Sequence, residues 1–131
     1  MASVINTFTD KITYSYTGNG AAVSAPVGTY TGAKDAGIAQ VILAGATATS
    51  ITVSFPFATI QAVIMTTDQD ITVKVNSSTT PTETFALKKS APLIWASDFV
   101  HANPFGHDVT VFFLANAGAV DAKFNFRVLY N

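Results

Sequence analysis

Forty of the 131 residues are Val, Ile or Thr, whereas Leu, Met, Glu, Gln, Lys and Arg together supply 18. Branching at Cβ stiffens χ1, which suits a pleated surface, while the straight-chain residues are the ones that populate helices. Glutamate occurs once, at Glu83, so the charge-laced solvent face of a helical bundle cannot be built. The 20 alanines do not reverse this. In residues 43–50 they alternate with Gly, Thr and Ser, and no apolar stripe of period 3.6 develops. The chain reads as all-β.

Alternation of period two then locates the strands. Ile12, Tyr14 and Tyr16 form one apolar series; Ile51, Val53 and Phe55 another; Ile71, Val73 and Val75 a third; Phe124, Phe126, Val128 and Tyr130 a fourth. Residues 59–66 and 109–115 are apolar on both faces, with Val63 and Met65 opposite Ile60 and Ile64, and Phe112 and Leu114 opposite Val111 and Phe113. A strand of that kind needs a cover on its second face, from a loop or a neighbouring subunit. Turn residues separate the runs at 17–20, 68–70, 77–81, 103–104 and 116–118. Hairpins are expected at 68–70 and at 116–121. Short strands at this spacing predict one antiparallel β-sandwich or jelly-roll domain spanning residues 1–131. Residues 1–37, rich in Gly, Ala, Ser and Thr toward their end, are assigned to an extended arm plus a first strand, and 38–131 to the main sandwich.

Charge is scarce. Seven basic and eight acidic residues give a net charge of −1 and a pI near 6.0. A compact protein of this mass exposes about 6,600 Å², or roughly 440 Å² per charge, which is sparse for a monomer whose whole surface meets water. Lys88-Lys89 is the one basic pair, which argues against a nucleic-acid partner, since phosphate binding needs clustered Lys and Arg. Residues 36–67 carry no charge, long enough to span a bilayer. They are interrupted by Thr47, Thr49, Ser50, Thr52, Ser54 and Pro56 and are β-branched, so a buried strand-rich core is expected rather than a membrane span. No basic and apolar leader opens the sequence, and export is not expected. With no cysteine, disulfides, thiolate metal sites and cysteine nucleophiles are excluded.

The chemistry-bearing residues fall short of a reaction. His101 and His107, near Asp98 and Asp108, offer imidazole and carboxylate ligands, but their spacing matches no zinc signature; a loop in which they bond backbone groups is expected. Asp68 and Asp70 lack the glycine and distal glutamate of a calcium loop. No Gly-x-Ser-x-Gly elbow accompanies either histidine, and Glu83 has no evident carboxylate partner for glycoside cleavage. Trp95 stands beside Pro92, Leu93 and Ile94, as a core anchor does. The Asn76-Ser77-Ser78 sequon has ordinary turn composition. No catalytic residue, metal or cofactor is assigned.

The order of segments adds a resemblance. Residues 59–78, then Pro81, Thr84-Phe-Ala-Leu, Pro92-Leu-Ile-Trp95, Asn103-Pro-Phe, Asp108-Val-Thr and the final Phe126-Arg-Val-Leu-Tyr-Asn131 resemble small structural proteins of tailed-bacteriophage virions, most like capsid decoration (cement) proteins. The resemblance covers about half the chain and consists of strands and turns. It implies a non-enzymatic jelly-roll subunit, made in the host cytoplasm and located on the capsid surface. Such a subunit forms a homotrimer and bridges neighbouring copies of a major capsid protein. Val4, Ile5 and Phe8 are then candidates for docking on a neighbour, or equally for a first strand of the sandwich. Phe112 and Leu114 are the next interface candidates. The alternative is a receptor- or carbohydrate-binding module of a tail fibre or baseplate, with Trp95, Tyr14 or Tyr16 as sugar platforms.

Overall fold

The computed structural model describes the backbone of residues 8–12, 15–18, 21–24, 28–32, 34–89 and 91–131, and the side chains of 34–89 and 91–131. Its strands are β1 (Phe8–Ile12), β2 (Ser15–Gly18), β3 (Ala21–Ser24), β4 (Gly28–Gly32), β5 (Lys34–Ile42), β6 (Thr49–Phe55), β7 (Ile60–Thr67), β8 (Ile71–Val75), β9 (Thr84–Leu87), β10 (Leu93–Ala96), β11 (Val109–Ala115) and β12 (Ala122–Tyr130). A single 3-10 turn, Phe57–Thr59, is the one helical element among the described residues, and none of them forms a helix able to cross a membrane.

Eight strands make two four-stranded antiparallel sheets. The first has the order β5-β12-β7-β10 and the second β6-β11-β8-β9. Four of the pairings are nested: β5 with β12, β6 with β11, β7 with β10, β8 with β9. A long antiparallel ribbon with its tip between β8 and β9 has been rolled up, so that β12 also meets β7 and β11 also meets β8. This is the jelly-roll arrangement, in which two Greek keys close around one core.

The alternation seen in the sequence decides which faces meet. On β12, Ala122, Phe124, Phe126 and Val128 are buried while Lys123, Asn125 and Arg127 are exposed. From the opposite sheet Ile51, Val53, Phe55, Ile71, Val73 and Val75 point back at them. Phe112 sits among four other rings, with centroids 5.0 Å from Phe126 and 6.4 Å from Phe55, Phe105 and Phe124. Phe105 stacks on it and the other three meet it edge-on, and such contacts add to the gain from burying each ring. Phe105 arrives from the long connection between β10 and β11, is buried, and closes the end of the sandwich against Phe55 and Phe85 at 5.4 Å each.

Two expected hairpins are instead arches. Residues 68–70 and 116–121 each carry the chain from one sheet to the other, because β7 and β12 belong to the first sheet while β8 and β11 belong to the second. Turn-forming side chains suit either connection. What decides is strand pairing: β7 is flanked by β10 and β12, and β11 by β6 and β8, so neither has an edge left for the strand that follows it. The hairpin lies at 76–83, where Asn76 adopts φ 65°. Its side chain explains that backbone: Oδ1 accepts from the Thr110 N–H and hydroxyl, and Nδ2 donates to the Asp108 carbonyl at 2.8 Å. Asn is among the few side chains that tolerate the left-handed region.

The described residues ahead of β5 form four short strands. β1 pairs with β4, and β2 with β3, as two separate two-stranded antiparallel sheets. β4 lies beside β12 and β7, and β1 beside β12. β5 follows β4 after one residue and starts at Lys34, so residues 34–37 are part of the nine-residue strand along β12.

Replacing Phe112 by Ala removes the ring that the others surround. Urea unfolding of that variant is expected to show a loss of about 3–5 kcal/mol, whereas Phe113→Ala on the outer face loses far less.

Candidate interaction site

Most of the polar residues singled out above are engaged in holding loops. Nδ1 of His107 lies 2.9 Å from Oε1 of Glu83, and the same oxygen accepts the Gly106 N–H at 2.9 Å. The other Glu83 oxygen accepts the Thr82 hydroxyl. Asp108 accepts the Phe57 N–H at 3.1 Å, Asp68 the Lys123 N–H at 2.6 Å, and Asp70 the Lys89 N–H at 3.0 Å. The His101 carbonyl accepts the Trp95 indole N–H at 2.8 Å. No group of three His, Cys, Asp or Glu side chains able to hold a metal occurs among the described residues. In the Asn76 sequon the amide nitrogen that would carry a glycan already donates to Asp108 and Thr82.

Glu83 therefore works as a clamp on the loop that delivers Phe105. Partial burial pushes its carboxyl pKa up, but hydrogen bonds from Thr82, His107 and Gly106 outweigh that and hold it below the ordinary value. The folded state then binds fewer protons than the unfolded chain, so stability rises with pH across the transition.

Trp95 faces the sandwich core on β10, packed beside the buried cluster. That placement withdraws it as an open sugar platform. Tyr14 lies outside the described residues; Tyr16 lies on β2. Of the docking candidates, Val4 and Ile5 lie outside the described residues and Phe8 begins β1.

Phe112 and Leu114 require a correction. Both are fully buried in the core, so neither belongs to an interface. Strict alternation from the buried Val109 puts Val111 and Phe113 inside and Phe112 outside. The register against β6 shifts between Val109 and Val111, and that irregularity flips the faces for the rest of the strand. The residues that reach the surface are Val111, Phe113 and Ala115, each half-buried. A second irregularity does the same on β7. Tyr130 pairs with Ile60 and Leu129 with Ala62, skipping Gln61, so Ile60 turns inward beside Val63 and Met65. Ala62 and Leu129 face outward, where Phe99 of the following loop covers them with Ala96. One of the two doubly apolar strands is thus partly covered from within.

The other is not. Across the outer face of the second sheet, Phe113 stands in one row between Ser50 on β6 and Lys74 on β8, followed by Thr84 on β9. The neighbouring row is Ala115, Thr72 and Ala86, and Val111 stands beside Thr52 on the other side. Lys74 carries the one charge in these rows, and its ammonium donates to the Ser78 carbonyl at 3.1 Å. The face is small-residued and nearly neutral around a single aromatic ring, with a shallow hollow beside Thr72, Ala86 and Ala115.

No protein-family model matches the chain, and no curated protein sequence is similar to it. A solved structure of Bacillus endospore appendages, described as disulfide-linked pili, is similar over 75% of this chain and 87% of its own, at 19% identity and a TM-score of 0.46.

Titrating the fold tests the Glu83 clamp. Its contribution should be complete above pH 4.5, the ordinary glutamate value, and fall away as the pH drops through the lowered folded value. Urea midpoints measured against pH should show a shallower acid-side slope for Glu83→Gln than for the parent chain.

Proposed function

We propose that this chain is a non-enzymatic structural subunit that decorates a larger protein assembly, in the manner of a phage capsid decoration protein bridging major capsid proteins. The observation that carries the reading is the outer face of the second sheet: Val111, Phe113 and Ala115 are half-exposed among Ser and Thr, with one lysine already bonded within its own loop. Interface cores differ from ordinary surface mainly in being depleted of charge and enriched in aromatic residues. Elsewhere the described charges sit at strand ends and loops or on the outer face of the first sheet, where Arg127 is paired with Asp35 at 2.8 Å.

On this reading the strands ahead of the sandwich supply a second place of contact. Two modest contacts from one subunit bind a repeating lattice far more tightly than either alone. On this reading the major capsid protein is the partner, and the subunit sits on the capsid exterior.

Phe113→Asp places a charge at the centre of the face without touching the core. Binding to capsids that lack the subunit, measured by co-sedimentation, should fall by tenfold or more, the scale expected for an interface anchor, with the circular dichroism spectrum and urea midpoint kept. Full binding by folded Phe113→Asp would reject the assignment of this face.

A further inference from the structure

The first sheet ends on a strand that nothing described in the chain covers. β5 pairs with β12 along all nine residues without a break, and its other edge has no partner among the described residues. The remaining sheet edges are blunted in ways natural proteins commonly use. β9 and β10 are four residues each, and β6 has an irregular register and runs into Pro56. β5 has none of these devices. Its only charges are Lys34 and Asp35 at one end, so residues 36–42 present an uncharged run of backbone.

Two side-chain features on that edge fit each other. Val41 is 50% exposed on the outer face. Four residues earlier, on the same face, Gly37 lies in a shallow trough of about 520 Å³ whose lining also includes Ala39, Ile64, Thr66, Asn125 and Arg127. Nothing among the described residues asks for glycine there. Its φ is not in the left-handed region, and among those residues a Cβ added to it meets nothing closer than the Phe126 carbonyl oxygen at 3.7 Å. Glycine inside a strand weakens it and often marks a bulge, a tight bend, or the close approach of a ligand or another backbone; β5 pairs with β12 without a bulge, which leaves close approach.

We infer that β5 pairs with β5 of a second copy, antiparallel about a two-fold axis through Ala39. That register sets Gly37 opposite Val41 of the partner copy and Val41 opposite its Gly37, so each exposed valine fills the space left by the other's glycine. Ala36 then faces Ile42 of the partner copy, and Lys34 and Asp35 fall outside the seven-residue paired run. The two first sheets become one of eight strands. An isologous contact of this type closes on itself and gives a dimer. It stands independently of what the face around Phe113 binds, since that face belongs to the other sheet.

Cross-linking tests the register, because the chain has no cysteine of its own. Opposed residues in antiparallel strands have Cα atoms about 4.5–5.5 Å apart, within the roughly 4.4–6.8 Å that a disulfide spans. Ala39→Cys under mild oxidation should give a disulfide dimer of about 27 kDa, twice the 13.7 kDa chain. Gly37→Cys and Val41→Cys should each cross-link weakly alone and readily when mixed. Val41→Lys should raise the dimer dissociation constant at least tenfold in sedimentation equilibrium, with an unchanged circular dichroism spectrum. The inference fails if Ala39→Cys cross-links no faster than Ser54→Cys on β6, if mixing the other two cysteine variants brings no gain, or if folded Val41→Lys dimerises as the parent does.

Discussion

The contact between Phe112 and Phe126, 5.0 Å apart across the sandwich, is the point on which the two sheets agree. Each sheet alone would leave one apolar face in water, and neither has helices to cover it. Phe112 is held in register by β6 and β8 on either side, and Phe126 by β5 and β7. Seating one ring against the other therefore orients six strands at once. Phe55, Phe105 and Phe124 complete the cluster, and Phe105 is where a long loop becomes part of the core rather than a connection around it.

Much of the sandwich was legible in the residues because β-branched content and period-two patterning are local properties. β12 is the clearest case: Phe124, Phe126, Val128 and Tyr130 all turn inward as their spacing predicts. β11 was harder. Its run from Val111 to Leu114 is apolar on both faces, so the pattern fixes a strand but not which side is in. That choice is made by a register shift against β6, a property of two strands far apart in sequence. The outer-face residues of interest are consequently the immediate neighbours of those the sequence suggested. The same limit applies to 68–70 and 116–121, whose composition marks a turn without saying whether the chain folds back within its sheet or crosses to the other. Glu83 could not have been paired with His107 from a separation of 24 residues; only the roll-up of the ribbon brings them together.

The low charge count looks different once it is mapped. Charged side chains gather where loops must be tied: Asp108 to Phe57, Asp68 to Lys123, Asp121 to Ala44, Glu83 to Gly106. Most of the acidic groups there accept backbone N–H bonds, so they serve as connectors more than as solvating groups. What remains for the sheet surfaces is mainly Ser, Thr and Ala, which neither repel a neighbour nor cost much to desolvate. A second sheet with one lysine on its outer face is the direct result.

The nesting of strand pairs also sets an order in time. β8 and β9 meet across a short loop, whereas β5 and β12 join residues 34 and 130. Chain entropy favours closing the short loop first and the longest last. A ribbon of this kind zips from its tip, and each inner pair shortens the effective loop for the next. During synthesis β5 emerges before the other strands of the two sheets, yet its one partner among the described residues, β12, is the last of them to emerge. The first sheet is therefore completed only after Tyr130 has left the ribosome. Until that moment β5 has no partner among the described residues, and its uncharged run from 36 to 42 waits longer for one than any other strand of the two sheets.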